Sequence, residues 1–242
     1  MIIIPARLKS SRFENKILAD IMGLPMVIRT AKQVEKLDSV VIATDAQEVI
    51  DLAKSYNIKA IMTSSTHQSG TDRINEAVNN LNLGADEIVI NVQADEPFIE
   101  VEVVQSVIND IKRLKILERD FIMSSCYKEI SSNLADDPNH VKVVCDEFGD
   151  AIYFSRAKIP YNRDHYNEET TYKGHLGIYG FTKKSLNSFC NLSSTPIEDI
   201  EKLEQLRAIA NSKKISMIKV ESKSFGIDTK EDLANALKVF AK

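Results

Sequence analysis

The sequence predicts an α/β fold: a mixed, mainly parallel sheet flanked by helices, with an inserted antiparallel hairpin lobe. Three observations carry that expectation. Short β-rich runs alternate with amphipathic helical runs through the first half of the chain, the pattern of right-handed βαβ units. Strand-like runs end in polar segments, as residues 2–4 end in Pro5-Ala6-Arg7 and residues 87–90 in Asn91-Val92-Gln93-Ala94-Asp95-Glu96-Pro97. Ligands of such sheets bind outside the carboxyl ends of the strands. Beyond the helix that begins near Glu100 the rhythm changes, and two β-rich runs flank a turn-like Asp146-Glu147-Phe148-Gly149-Asp150.

In chain order, residues 2–4 form a strand and residues 27–37 a helix. Val27, Ile28, Ala31, Val34 and Leu37 recur at helical spacing on its inner face, leaving Arg29, Lys32, Gln33 and Lys36 for solvent. Strand 40–43, helix 48–55 and strand 59–62 continue the alternation. Thr71 is the expected cap of a helix through Leu81, followed by strand 88–92 and a helix from near Glu100. Residues 141–154 read as a hairpin, 160–173 as a polar, exposed arm, and 176–181 as a strand. Residues 197–210 read as one helix with an Ile200, Leu203, Leu206, Ile209 stripe, and with Glu198, Glu201 and Gln205 on a polar flank beside Glu204. Strand 215–220 and helix 230–240 close the chain. A single domain over residues 1–242 is expected, with the hairpin lobe inserted over 138–175.

At 242 residues the chain can bury a sizeable core. Its net charge of −4 gives no global attraction for nucleic acid or an anionic membrane, so a polyanion must be held locally. The apolar start is too short for a secretory signal and no later run approaches a membrane span, so a cytoplasmic location is expected. Cys126, Cys145 and Cys190 have no Cys-x-x-Cys spacing, which indicates neither a disulfide framework nor a zinc site.

The loop after the first strand has neither a dinucleotide fingerprint nor a Walker-type sequence. It carries Arg7, Lys9, Arg12 and Lys16 instead, cations that together with backbone donors can neutralise a triphosphate. Asp95 and Glu96 either enter the next helix as dipole-stabilised acids or hold a metal. Magnesium needs few carboxylates beside substrate phosphates, and Asp228 is the best distant partner. Asp45 either joins such a set or caps the following helix. His67-Gln68-Ser69-Gly70-Thr71-Asp72-Arg73 suits a base or ribose, or makes an ordinary loop and cap. His175, Gly177 and Tyr179 share one face of a strand. Four histidines with no Ser/His/Asp order give a nucleophilic triad little support. An acidic strand edge with a basic loop points to nucleotidyl transfer.

Taken together, Ile-Ile-Pro-Ala-Arg with its following Ser-Arg and Lys16, Ala-Thr-Asp, His-Gln-Ser-Gly-Thr-Asp-Arg, Asn-Val-Gln-Ala-Asp-Glu-Pro, Tyr-Phe-Ser-Arg-Ala-Lys-Ile-Pro, His-Leu-Gly-Ile-Tyr-Gly, Leu-Glu-Gln-Leu-Arg and Gly-Ile-Asp-Thr-Lys-Glu-Asp-Leu occur in an order that resembles the 3-deoxy-manno-octulosonate cytidylyltransferase (CMP-Kdo synthetase) family. The likeness runs over nearly the whole chain. It implies a nucleotidyltransferase-type, Rossmann-like fold, dimeric through the inserted lobe, that joins CTP to the sugar acid Kdo and releases pyrophosphate in lipopolysaccharide biosynthesis.

By position, the resemblance makes Arg7, Lys16 and Asp95 catalytic. Arg7 and Lys16 bind the triphosphate with Arg12 supporting, and Gly70, Thr71, Arg73 and Gln93 contact the nucleotide. Asp95 and Asp228 hold Mg2+. Gln93, His175, Tyr179, Glu204 and Gln205 read the sugar, with Arg156 and Arg163 near its carboxylate. Activation of the attacking hydroxyl by the metal is expected, rather than by a histidine base. Two positions depart from the family pattern: Phe13-Glu14-Asn15-Lys16 stands where Leu-Pro-Gly-Lys is usual, and Ala94 replaces a glycine. The competing readings are a cytidylyltransferase for sialic acid or an 8-amino analogue of Kdo, and a non-catalytic nucleotide-binding module.

Overall fold

Ile2, Ile3 and Ile4 show no polar alternation, and the strand they begin, β1 (Ile2–Ala6), is buried along its whole length, as a central parallel strand requires. The computed structural model describes residues 1–8, 13–164 and 170–240. The chain forms two compact units, Met1–Gln105 with Ser222–Lys242, and Ser106–Glu221.

In the first unit a 3-10 turn, Lys16–Leu18, leads to a small hairpin of β2 (Asp20–Ile21) and β3 (Leu24–Pro25). Then come α1 (Met26–Val34), β4 (Val40–Thr44), α2 (Gln47–Ser55), β5 (Lys59–Met62), α3 (Gly70–Asn80) and β6 (Ile88–Asn91). β1 pairs in parallel with β4 on one side and β6 on the other, and β5 extends the sheet beyond β4. The expected inner face of α1 is buried. α3 is capped by Ser69 rather than Thr71. Ser69 has the extended backbone of a cap and its hydroxyl accepts the Asp72 N–H, whereas Thr71 lies buried in the first turn.

α4 (Val101–Ile116) leads into the second unit, where β7 (Met123–Ile130) is followed by α5 (Ser132–Asp136), β8 (Lys142–Cys145), β9 (Ala151–Ser155) and β10 (Tyr172–Thr182). The hairpin expected over 141–154 is β8–β9. β10 begins at the buried Tyr172, so the last part of the supposed exposed arm is strand. β10 pairs antiparallel with β7, with a register shift between Leu176 and Tyr179. α6 (Lys183–Cys190) follows.

The single helix expected over 197–210 is two, α7 (Pro196–Glu201) and α8 (Leu206–Ala210), because Lys202 takes the left-handed conformation at φ 53°. The supposed apolar stripe breaks with it: Ile200 is 81% exposed while Leu203 and Leu206 are buried. Glu198 is not a solvated flank residue, since it holds Arg207 in a two-pronged ion pair at 2.6 and 2.9 Å across the turn. β11 (Ile215–Lys219) pairs in parallel with β7. The hairpin expected to form a lobe over 138–175 therefore lies within a larger unit that β7 organises.

The chain returns to the first unit and ends in α9 (Lys230–Phe240). A small core of Ile21, Met26, Phe98, Ile227 and Ala236, with Phe98 and Phe240 stacked at 4.5 Å, fixes the segment that carries Asp228. The architecture is the expected mixed, mainly parallel α/β one. Among the described residues no helix is long and apolar enough to cross a membrane.

Candidate active site

The ends of β1 and β6, the 3-10 turn, the start of α3 and the entry to α9 surround a cavity of about 280 Å³ in the first unit. Its wall contains Arg7 from the first strand's exit, Gln93 and Asp95 from the exit of β6, His67, Ser69, Gly70 and Arg73 from the α3 region, and Lys16 and Asp228. Residues separated by more than two hundred positions meet here because parallel strands carry their loops to one edge.

Lys16 Nζ lies 2.6 Å from Asp95 Oδ2 and 2.8 Å from Asp228 Oδ1. Burial alone would lower the Lys16 pKa, but the Asp95 and Asp228 carboxylates outweigh it and hold the ammonium above the usual lysine value. Both acids are positioned by backbone. The Ile227 N–H donates to the Asp95 carbonyl, and the Asp232 carboxylate accepts from the Asp228 and Thr229 N–H groups while Thr229 caps Asp232. Two carboxylates that converge on one cationic nitrogen form a donor set suited to a hard divalent cation completed by phosphate oxygens.

Gly70 occupies a close approach: an added Cβ would stand 3.2 Å from Pro5 Cγ and 3.5 Å from Gln93 Oε1, filling the cavity floor. The first amides of α3 open beside it, a favourable end for anions. Arg73 is nearly fully buried and donates to Thr63 at 2.7 Å and to Asp45 at 3.0 Å, so Asp45 orients an arginine rather than capping α2. His67, at the start of the segment expected to suit a base or ribose, is on the wall and shares a 2.5 Å contact with Glu76. Thr71 is fully buried and lies off the wall. Arg12 lies outside the described residues. Asn15, where the family pattern has glycine, adopts φ 50°, a left-handed conformation that asparagine tolerates. Ala94 is not in that region, and its side chain causes no backbone conflict.

The second unit gathers Ser125, His175, Tyr179 and Gln205. Ser125 Oγ lies 2.9 Å from His175 Nε2, Tyr179 donates to Gln205 Oε1 at 3.3 Å, and the His175 ring sits edge-on to Phe154 at 5.0 Å. Enclosure lowers the His175 pKa to about 3, and burial followed by the Glu204 charge raises Tyr179 well above its ordinary value. Both His175 and Tyr179 are thereby held uncharged at neutral pH. Gln205 Nε2 is buried with no hydrogen-bond partner among the described residues, a donor waiting for an acceptor. Arg156 donates to the carbonyls of Glu201 at 2.8 Å and Pro138 at 3.0 Å, fastening the α7 turn. Arg163 is 90% exposed, with Asp164 at 3.9 Å.

A model of the cytidylyltransferase family matches residues 1–215. A 3-deoxy-manno-octulosonate cytidylyltransferase of Wolinella succinogenes is 50% identical, with 99% of each chain covered, and one of a Nitratiruptor species is 53% identical, with 96% of each covered. The chain belongs to the 3-deoxy-manno-octulosonate cytidylyltransferase family. A solved CMP:2-keto-3-deoxy-manno-octonic acid synthetase, complexed with CTP, superimposes with a TM-score of 0.88 at 35% identity, over 99% of this chain and 97% of that one. For this cytidylyltransferase, Ser125 is the cluster residue that the sequence does not point to, whereas His67 belongs to the segment expected to suit a base or ribose. Ser125 was hidden because its place beside His175 depends on the β7–β10 register.

Proposed function

We propose that the enzyme transfers CMP from CTP to 3-deoxy-D-manno-octulosonate, forming CMP-Kdo and pyrophosphate for lipopolysaccharide biosynthesis. The observation that carries this reading is the convergence of Lys16, Asp95 and Asp228 on one point of a cavity whose wall also bears Arg7 and the start of α3. Cations suited to a triphosphate stand beside acids suited to a divalent ion.

Asp95 and Asp228 would hold Mg2+, which when bound supplies positive charge to the phosphates and lowers the pKa of a coordinated hydroxyl. Arg7 and Lys16 bind the triphosphate and stabilise the charge that spreads as pyrophosphate leaves. Arg12 supports them, and Gly70, Arg73 and Gln93 shape the nucleotide end. His175, Tyr179, Glu204 and Gln205 recognise sugar hydroxyls; Gln205 Nε2 supports this because a buried donor needs a partner. With a pKa of about 3, His175 is too weak a base to take a hydroxyl proton at neutral pH. Of the two arginines expected near the carboxylate, Arg163 is the exposed one, with its side chain 90% accessible. The enzyme acts as a homodimer through the hairpin lobe, where Phe148 and Ile152 are 81% and 54% exposed. Light scattering at twice the 27.2 kDa chain mass is expected.

The decisive assay is pyrophosphate release from CTP and Mg2+ with Kdo, run beside sialic acid, 8-amino-Kdo and a no-sugar control. Release with Kdo alone is expected. Release with another sugar only would move the substrate, and CTP binding without any release would leave a nucleotide-binding module.

A further inference from the structure

The Ser125 hydroxyl faces three groups. Besides His175 Nε2 at 2.9 Å, it lies 2.8 Å from the Ile178 carbonyl and 3.3 Å from the Leu176 carbonyl. Those carbonyls reach it because the β7–β10 register shifts between Leu176 and Tyr179, so that Tyr179 rather than Gly177 comes opposite Ser125. Ser125 is fully buried.

A serine hydroxyl has one proton and accepts on its oxygen, whereas a carbonyl oxygen only accepts. Were the hydroxyl to donate to a bare Nε2, its lone pairs would face two carbonyl oxygens in a buried pocket, a repulsive arrangement at 2.8 Å. The arrangement that makes every contact attractive directs the hydroxyl proton to Ile178 and leaves the oxygen to accept from His175.

We propose that Ser125 is a positioning residue that fixes His175 as the neutral Nε2–H tautomer, leaving Nδ1 as a bare acceptor for a sugar hydroxyl. Among the described residues Nδ1 forms no hydrogen bond, and His175, though enclosed, is not fully buried. Among the described residues no carboxylate contacts the imidazole, and Phe154 and Tyr179 flank it, so none of them draws it into the charged form that would turn Nδ1 into a donor. His175 and Gln205 then have opposite requirements: Nδ1 takes a hydrogen bond and Gln205 Nε2 gives one. A hydroxyl can satisfy both kinds of group, and a ligand edge that offers only acceptors cannot.

The protonation statement stands on geometry alone, while its kinetic consequence rests on the sugar-recognition reading above. The test is nitrogen-15 NMR of histidine-labelled enzyme, with steady-state kinetics of Ser125→Ala and His175→Phe. Wild type is expected to show His175 protonated at Nε2 and bare at Nδ1 across neutral pH. Ser125→Ala frees the ring to turn and exchange tautomers, and is expected to raise KM for Kdo by about tenfold while KM for CTP changes less than about twofold. An Nδ1–H signal in wild type overturns the inference, even if His175→Phe raises KM for Kdo as the sugar reading requires. An unaltered KM for Kdo in Ser125→Ala beside a raised one in His175→Phe overturns the role of Ser125 and leaves the sugar reading standing. If neither variant alters it, the sugar reading itself falls. Should Ser125→Ala fail to fold, the wild-type spectrum still decides the tautomer.

Discussion

The cavity of the first unit and the cluster of the second hold their polar groups by opposite means. The cavity holds full charges that neutralise one another, with Lys16 between Asp95 and Asp228 and Arg73 against Asp45. The cluster holds neutral donors and acceptors fixed by burial, with His175 kept uncharged and Gln205 left unsatisfied. Charge pairs can exchange partners, which suits a polyphosphate and its counter-ion. Neutral hydrogen bonds held rigid suit a sugar, whose hydroxyls differ in direction rather than in charge.

The sharpest way to break this contrast is Asp95→Asn, which removes charge while keeping shape. Turnover at saturating Mg2+ is expected to fall on the order of 10²-fold or more, with CTP affinity by calorimetry altered far less. Near-normal turnover would remove Asp95 from the chemistry. Lys16→Met should lower turnover by roughly tenfold or more and, by leaving two carboxylates without their cation, tighten Mn2+ binding in the absence of nucleotide. Weaker Mn2+ binding in a folded Lys16→Met protein would mean that the acids do not share one cation position.

In the cluster, Gln205→Leu removes a buried donor without a partner. Because it also takes the acceptor from the buried Tyr179 hydroxyl, the two effects oppose each other and stability in denaturant unfolding should change by less than about 1 kcal/mol, while KM for Kdo rises. An unaltered KM for Kdo would remove Gln205 from sugar recognition. His175 supplies a pH signature. Its folded pKa of about 3 is below the ordinary 6.5, so as acid is added the unfolded chain takes up the proton first. The stability is therefore fully present above pH 6.5 and lost between there and about 3, with a slope near one proton, about 1.4 kcal/mol per pH unit. His175→Phe should flatten that slope by one proton. The smallest effect is at Asn15: Asn15→Gly should leave stability within roughly 0.5 kcal/mol, and Asn15→Val, forced to φ 50°, should cost about 1–2 kcal/mol.

Much of the first unit is legible in the sequence because its logic is local. Apolar runs such as 88–90 announce strands, and acids such as Asp95 just beyond them announce an edge where ligands bind. Asp228 could be paired with Asp95 only by its place between a strand and a helix, and their common contact with Lys16 is a tertiary fact. In the second unit the local signals mislead. Residues 197–210 keep a helical period through Lys202, yet the chain turns there because Glu201 is held by Ser155 and Arg156 while Glu198 binds Arg207. β7 carries Ser124-Ser125-Cys126-Tyr127 in its middle, with no polar alternation to mark a strand, and the importance of Ser125 arises from a register shift in a strand fifty residues away.

The bond from Lys16 to Asp228 spans 212 positions, the longest reach in the cavity. During synthesis Lys16 and Asp95 leave the ribosome long before Asp228, and β1, β4, β5 and β6 can pair while the late segment is still being made. The cavity's charges balance only when residues 222–240 dock and the Phe98–Phe240 stack closes over Ile227. The candidate site is thus completed only with the last helix, and a nascent chain with a nearly complete sheet still lacks the Asp228 side of the cavity.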